Sequence, residues 1–287
     1  MFAREHGRSQ ADFVAKPEVR GRDEGHIQAF QKAQQVLREN ALTPEQFVGF
    51  YEPESLARDA IEVEKMKRKF AAGDLEKPES AIAREKATIL QAMIHEYGAR
   101  WLGDERIIFS RTTEFDDFDR GIDEIVSFPR DPGHTHVGLS VDVTFAKDLE
   151  TKVKKILLSI REDNLSTAKY FAAPGFRGEL TVPKIIIGAN GGLVDQMQRL
   201  WMKPHVGLSQ HPFRHYFLQE ALFQADMFLE YARRLHKPQA TKAYEEALYC
   251  LDQRQKAVGN PSEEIVDEIK HDPMVRRLKG TIHSFMK

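Results

Sequence analysis

The chain has 287 residues, 41% hydrophobic and 30% charged, a balance that excludes fibrous and disordered classes and allows one α/β domain with additions or two small domains. Its net charge of -2 and pI near 6.6 give no global basic signature, so any nucleic-acid surface has to be a local patch. One cysteine, Cys250, excludes an internal disulfide and a cysteine-built zinc site, and no apolar run reaches the length of a membrane span. The start, MFAREHGRSQ, is charged and lacks the apolar stretch of a signal peptide, which reads as a cytoplasmic protein without a membrane partner.

Residues 1 to about 78 carry helix signals and no strand signals: IQAFQKAQQVL, then TPEQFVGF with Pro44 after the cap candidate Thr43, then PESLARDAIEVEKMKRKF. AAGDLEKPES reads as a linker. A longer helix is predicted from about Pro78 to Arg100, with Ile82, Ile89, Leu90, Met93, Ile94, Tyr97 and Trp101 on one apolar stripe. The period then changes. RIIFSRT and GIDEIVSF are strand candidates, and HVGLSVDVTFA alternates strictly, which implies one buried face and one small, polar face.

A helix over about Asp148 to Glu162 follows, with Leu149, Val153, Ile156, Leu157 and Ile160 inward. PKIIIG is a short apolar strand, ANGGLVDQMQRLW leads into a helix, and from Phe213 the chain reads helical with a break around VGNPS. The expected fold is therefore α/β (α+β). It has a central mixed sheet of about four strands in αβββαβ order, helices on both faces, a core over 79–205, and helical extensions over 1–78 and 206–287.

EFDDFDRGIDEIV, Glu114 to Val126, places six carboxylates where a strand begins, although strands are poor in Asp. RDPGH is a turn, and a hairpin symmetric about Pro132 and Gly133 sets Ser127 against Gly138, Ile125 against Ser140, and Asp123 against Asp142. Directly opposed like charges are destabilising and call for a cation; oxygen-only ligands suit Mg²⁺. The third acid would come from the long helix. Glu85 and Glu96, eleven residues apart, share a face within about 20°. An antiparallel climb of about 20 Å, roughly fourteen residues back from the helix end, favours Glu85.

Helix with an acid, three antiparallel strands, helix, strand, with Asp at the start of the second strand and a second Asp on the third, resembles the PD-(D/E)xK nuclease superfamily (restriction-endonuclease-like fold) over residues 79 to about 200. The resemblance implies that Asp123 in GID, Asp142 in VDVTF and Glu85 hold Mg²⁺ or Mn²⁺, which polarises a phosphodiester and activates a water, with nucleic acid, DNA first, as substrate. Thr144 stands where the family carries lysine, and Lys152 on the next helix is the expected substitute, ahead of Lys147 and Lys155.

On that reading Glu114, Asp116, Asp117 and Asp119 are a loop rim, and the helical arms shape substrate access or a homodimer. Two other classes stay open: a catalytically silent nucleic-acid-binding or scaffold protein on the same fold, and a helical interaction protein whose sheet is structural. A calcium loop starting at Asp116 fails at Phe118, Arg120 and Ser127. The pairs His134/His136 and His211/His215 read as structural or solvent-facing, and IIIGANGGLVDQM as a tight turn capped by Asn190 rather than a phosphate loop. EKMKRKF and MVRRLK read as solvated basic faces, or else as phosphate contacts.

Overall fold

A computed structural model describes residues 23–73, 78–129, 137–144, 149–203 and 207–286, with backbone alone at 70–73, 78–80 and 137–144. The fold is mixed α/β and mostly helical, and no described helix is long and apolar enough to cross a membrane.

Helix α1 (Glu24–Asn40) starts where the Asp23 carboxylate accepts from His26 N at 2.7 Å, which satisfies one of the N–H groups a helix start leaves open. A one-turn 3₁₀ segment, Pro44–Phe47, follows Thr43, and α2 runs Pro53–Gly73. Helix α3 (Pro78–Trp101) has Ile89, Leu90, Ala92, Met93 and Ile94 all buried, so mid-helix it is covered on more than the one expected stripe. α1 packs along it and β1 (Ile108–Arg111) lies beneath it. The α3–β1 approach is close because residue 98 is glycine: a Cβ there would lie 2.3 Å from the Phe109 ring.

Strands β2 (Glu124–Phe128) and β3 (Val137–Thr144) pair antiparallel, with Ser127 opposite Gly138, Ile125 opposite Ser140 and Glu124 opposite Val141, the register expected from the sequence. The turn that joins them lies outside the described residues. β1 pairs with β2 antiparallel, and β6 (Lys184–Gly188) pairs with β3 in parallel, Asp142 level with Ile186 and Thr144 with Gly188. Helix α4 (Leu149–Arg161) makes the crossover, inward on Leu149, Val153, Ile156, Leu157 and Ile160 as its spacing predicts.

Two strands were not foreseen. β4 (Thr167–Ala173) and β5 (Phe176–Thr181) form a separate hairpin between α4 and β6. Ala168 and Phe171 of this hairpin bury Ile122 and Ile125, and all five residues of β2 are buried. The face expected to stay small and polar is thus covered along β2.

Helix α5 (Gly191–Trp201) begins at Asn190, whose side chain accepts from Leu193 N at 3.0 Å. Helices α6 (Phe213–Arg234), α7 (Pro238–Val258), α8 (Glu263–His271) and α9 (Pro273–Met286) complete the chain, Cys250 being buried in α7. One apolar cluster joins α1, α3, the β2 residues Val126 and Phe128, β6 and the helices of the C-terminal third.

Candidate functional site

Most of the carboxylates between Glu114 and Asp119 have structural duties. Asp116 is fully buried inside a π-type turn, Asp116–Arg120, and accepts from Lys169 N at 2.7 Å, Tyr170 N at 3.0 Å and the Thr113 hydroxyl at 3.0 Å. Burial pushes its carboxyl pKa up, and these three donors work against that push. Asp116 therefore ties the turn to β4. Glu114 pairs with Lys67 of α2 at 2.8 Å, Asp117 with Arg111 at 3.0 Å, and Asp119 with its neighbour Arg120 at 2.6 Å. Gly121 ends the turn at φ +61°, a left-handed conformation that glycine adopts without strain.

Asp123 follows, half-buried, its carbonyl accepting from Arg111 Nη1 at 2.8 Å. One guanidinium therefore fixes both the Asp117 carboxylate and the backbone at the mouth of β2. The paired ladder ends with Glu124 opposite Val141, and Asp123 and Asp142 are the residues next to that last pair. This end of β2 adjoins the ends of β3 and β6, with Gly188 and the start of α5 just beyond. The Asp142 side chain lies outside the described residues, as do Lys147, His134 and His136.

Glu124 occupies the buried row of Val126 and Phe128, the place the hairpin register assigned to apolar residues. Its Oε1 lies 2.8 Å from His95 Nδ1 on α3, and its Oε2 has no partner among the described residues. Burial raises the Glu124 pKa, countered by His95 and Arg111. Burial opposes charge on His95 as well, yet the bond to Glu124 and its field outweigh this and lift His95 above the ordinary histidine value.

These contacts fix the level of α3 against the sheet. Gly98 meets Phe109 and His95 meets Glu124, so His95 is the α3 side chain level with the start of β2. Glu85 stands ten residues earlier, about 15 Å along the helix axis, where its carboxylate is 2.9 Å from His26 Nε2 of α1. The climb along the helix was set too long because β1 has only four residues. Glu96 bonds Trp201 Nε1 at 2.5 Å, and Lys86 pairs with Asp195 at 2.6 Å. Among the described residues no three His, Cys, Asp or Glu side chains converge as a metal site.

Lys152 is half-buried in the first turn of α4 and Lys155 is exposed. Another lysine reaches the Asp123 loop. Lys184 opens β6, and its ammonium donates to the Gly121 carbonyl, two residues before Asp123. Its backbone is braced twice by Tyr244 of α7: the hydroxyl donates to Lys184 O at 2.9 Å and receives Lys184 N at 3.3 Å. Sequence reasoning missed Lys184, Arg111, His95 and Glu124. Only Glu124 carried a signal, an acid falling on the apolar row.

The His211/His215 pair and the Asn190 turn have structural roles. His211 Nδ1 accepts from Phe213 N at 3.1 Å where α6 begins, and His215 is buried beside Arg214, both histidines pushed down by burial. Asn190 caps α5 and also donates to Asp272, which caps α9 through Met274 N and Val275 N. Arg276 and Arg277 of the second basic run are exposed. No family model, curated protein or solved structure matches this chain.

Proposed function

We propose that the chain is a divalent-metal-dependent nuclease of the PD-(D/E)xK type, hydrolysing phosphodiester bonds of nucleic acid, DNA in the first instance. The reading rests above all on the β2–β3 register, whose last pair, Glu124 with Val141, has Asp123 and Asp142 as its next neighbours, near the edge shared with β6. It is supported by the order α3, β1, β2, β3, α4, β6, with the β4–β5 hairpin as an insertion into the αβββαβ core. The donor types fit Mg²⁺ or Mn²⁺: two aspartates beside the end of one strand pair offer oxygen ligands, and such an ion keeps several waters rather than needing a closed protein cage. Asp123 and Asp142 would hold it, with Glu85 kept as a third acid only if the N-terminal half of α3 draws in on substrate.

When bound, the ion supplies charge against the scissile phosphate and a water of lowered pKa. Arg111 holds the Asp123 carbonyl and so fixes the loop from which that carboxylate projects. Lys184, tied to Gly121, is better placed than Lys152 to set an ammonium beside charge developing on the phosphate.

The second reading is a silent nucleic-acid-binding scaffold, favoured by Thr144 at the family's lysine position and by the commitment of Lys184 to a backbone carbonyl. Calorimetry with Mg²⁺ or Mn²⁺ beside a cleavage assay separates the two. The nuclease reading expects Asp123→Ala and Asp142→Ala to lose metal uptake and cleavage together. Lys184→Ala should keep metal uptake while the rate falls by about 10²–10³, the usual cost of removing one such donor. Metal uptake without cleavage of DNA or RNA supports the scaffold, and no metal uptake by the wild type sinks the nuclease assignment.

A further inference from the structure

The α4, α6 and α9 helices form an open groove of about 310 Å³ lined by Lys154, Leu157, Leu158, Arg161, Tyr231 and Phe285. Among the described residues no carboxylate lines it. The Lys154 ammonium lies 4.8 Å from the Phe285 ring centre, and the Arg234 guanidinium, at the edge of the group, lies 5.4 Å from that of Tyr231 while donating to the Met286 carbonyl. None of these three cations has an ion pair among the described residues. Leu158 is 41% exposed on a helix whose inward stripe is already complete, so the groove presents apolar surface beyond what the core requires.

We infer that this groove binds an unpaired nucleotide of a single-stranded nucleic acid, its base against Tyr231 and Phe285 and its phosphate between Lys154 and Arg161. Charge complementarity carries the choice. In a chain of net charge -2, three cations gathered around two aromatic rings, with no neutralising acid among the described residues, attract an anion and repel a cationic ligand. Rings beside cations form the platform used by single-strand binders, where stacking accepts any base. The volume is at the lower end of ligand pockets, about 300–1,000 Å³, which suits one nucleotide unit and leaves no room for a duplex.

The inference deepens the nuclease reading by naming a strand form the protein grips, and it can fail separately because binding needs no metal. Fluorescence anisotropy of a labelled oligodeoxynucleotide is measured with the full chain in EDTA, single-stranded and as a duplex. Wild-type protein should prefer the single strand. Arg161→Glu, on the exposed side of α4, and Phe285→Ala should each weaken that binding by about tenfold or more, the scale of losing one stacked base or one phosphate contact. Tyr249→Ala, which removes an exposed aromatic of α7 outside the groove, should bind like the wild type. Unchanged binding in both groove variants overturns the proposal, as does the absence of single-strand binding in the wild type. Displacement by an acidic peptide as effective as by an oligonucleotide overturns it too, since that outcome means a charge-only surface. A failure of cleavage with Mg²⁺ bears on the nuclease reading alone.

Discussion

Two buried acids, Glu220 and Glu124, differ in how they are held. Glu220, in the middle of α6, is fully buried, accepts from Gly188 N at 3.1 Å and leaves Oε1 without a partner, and burial beside Asp272 lifts its pKa to about 8. The proton is therefore held more tightly in the folded chain than in the unfolded one. Stability from this group is complete below the unfolded carboxyl value and is lost as pH rises from there through about 8, at about 1.4 kcal/mol per pH unit. Glu220→Gln, which imitates the protonated form, should flatten that loss, so thermal unfolding curves of variant and wild type should diverge steadily between pH 5 and pH 8. Curves that stay parallel would show that Glu220 is ionised without cost. Glu124 has a partner, and its cost appears when the partner goes: His95→Leu strands a buried carboxylate and should destabilise by about 3 kcal/mol in denaturant titration. Replacing both residues by leucine should recover most of that loss.

At the level of elements, glycine position sorts packing from propensity. Gly98 of α3 has no room for a Cβ against Phe109, so Gly98→Ala should push helix from strand and cost about 1–3 kcal/mol. Gly280 of α9 has nothing within 4 Å, and Gly280→Ala should stabilise by about 0.5–1 kcal/mol through helix propensity. Equal signs for the two in urea unfolding would break the argument. The same elements show what the sequence disclosed. The β2–β3 register was legible because Pro132-Gly133 and two alternating strands admit one consistent pairing, and α4 was legible because its apolar spacing is regular. The β4–β5 hairpin was not, since TAKYFAAPGFRGELT mixes small and charged residues and its backbone is secured by Asp116 from another part of the chain. The height of α3 against the sheet was misjudged for a related reason: it depends on one glycine contact and on the length of β1, neither of which periodicity encodes. Lys184 was hidden in the same way, because its role comes from a loop more than sixty residues away in the sequence.

For the molecule as a whole, the decisive feature is the apolar cluster that runs from α1 through α3 and the sheet into α6, α7 and α9. Met274, Val275, Leu278, Ile282 and Met286 of α9 are all buried in it, and Asp272 binds the start of α9 to Asn190 at the end of β6. A boundary at residue 206 therefore cuts through shared core, and the C-terminal helices cannot come away without exposing the parts of α4 and α6 they cover. Burying a large apolar side chain contributes about 1.5–3 kcal/mol, so the five α9 residues together outweigh the marginal net stability typical of a domain, about 5–15 kcal/mol, or consume most of it. Deleting residues 263–287 is expected to abolish cooperative melting, whereas the intact chain should unfold in one calorimetric transition whose van't Hoff and calorimetric enthalpies agree. A truncated chain that still melts sharply at an unchanged temperature would mean that α8 and α9 form an independent unit. The groove formed by α4, α6 and α9 would then have to be treated as lying between units rather than within one.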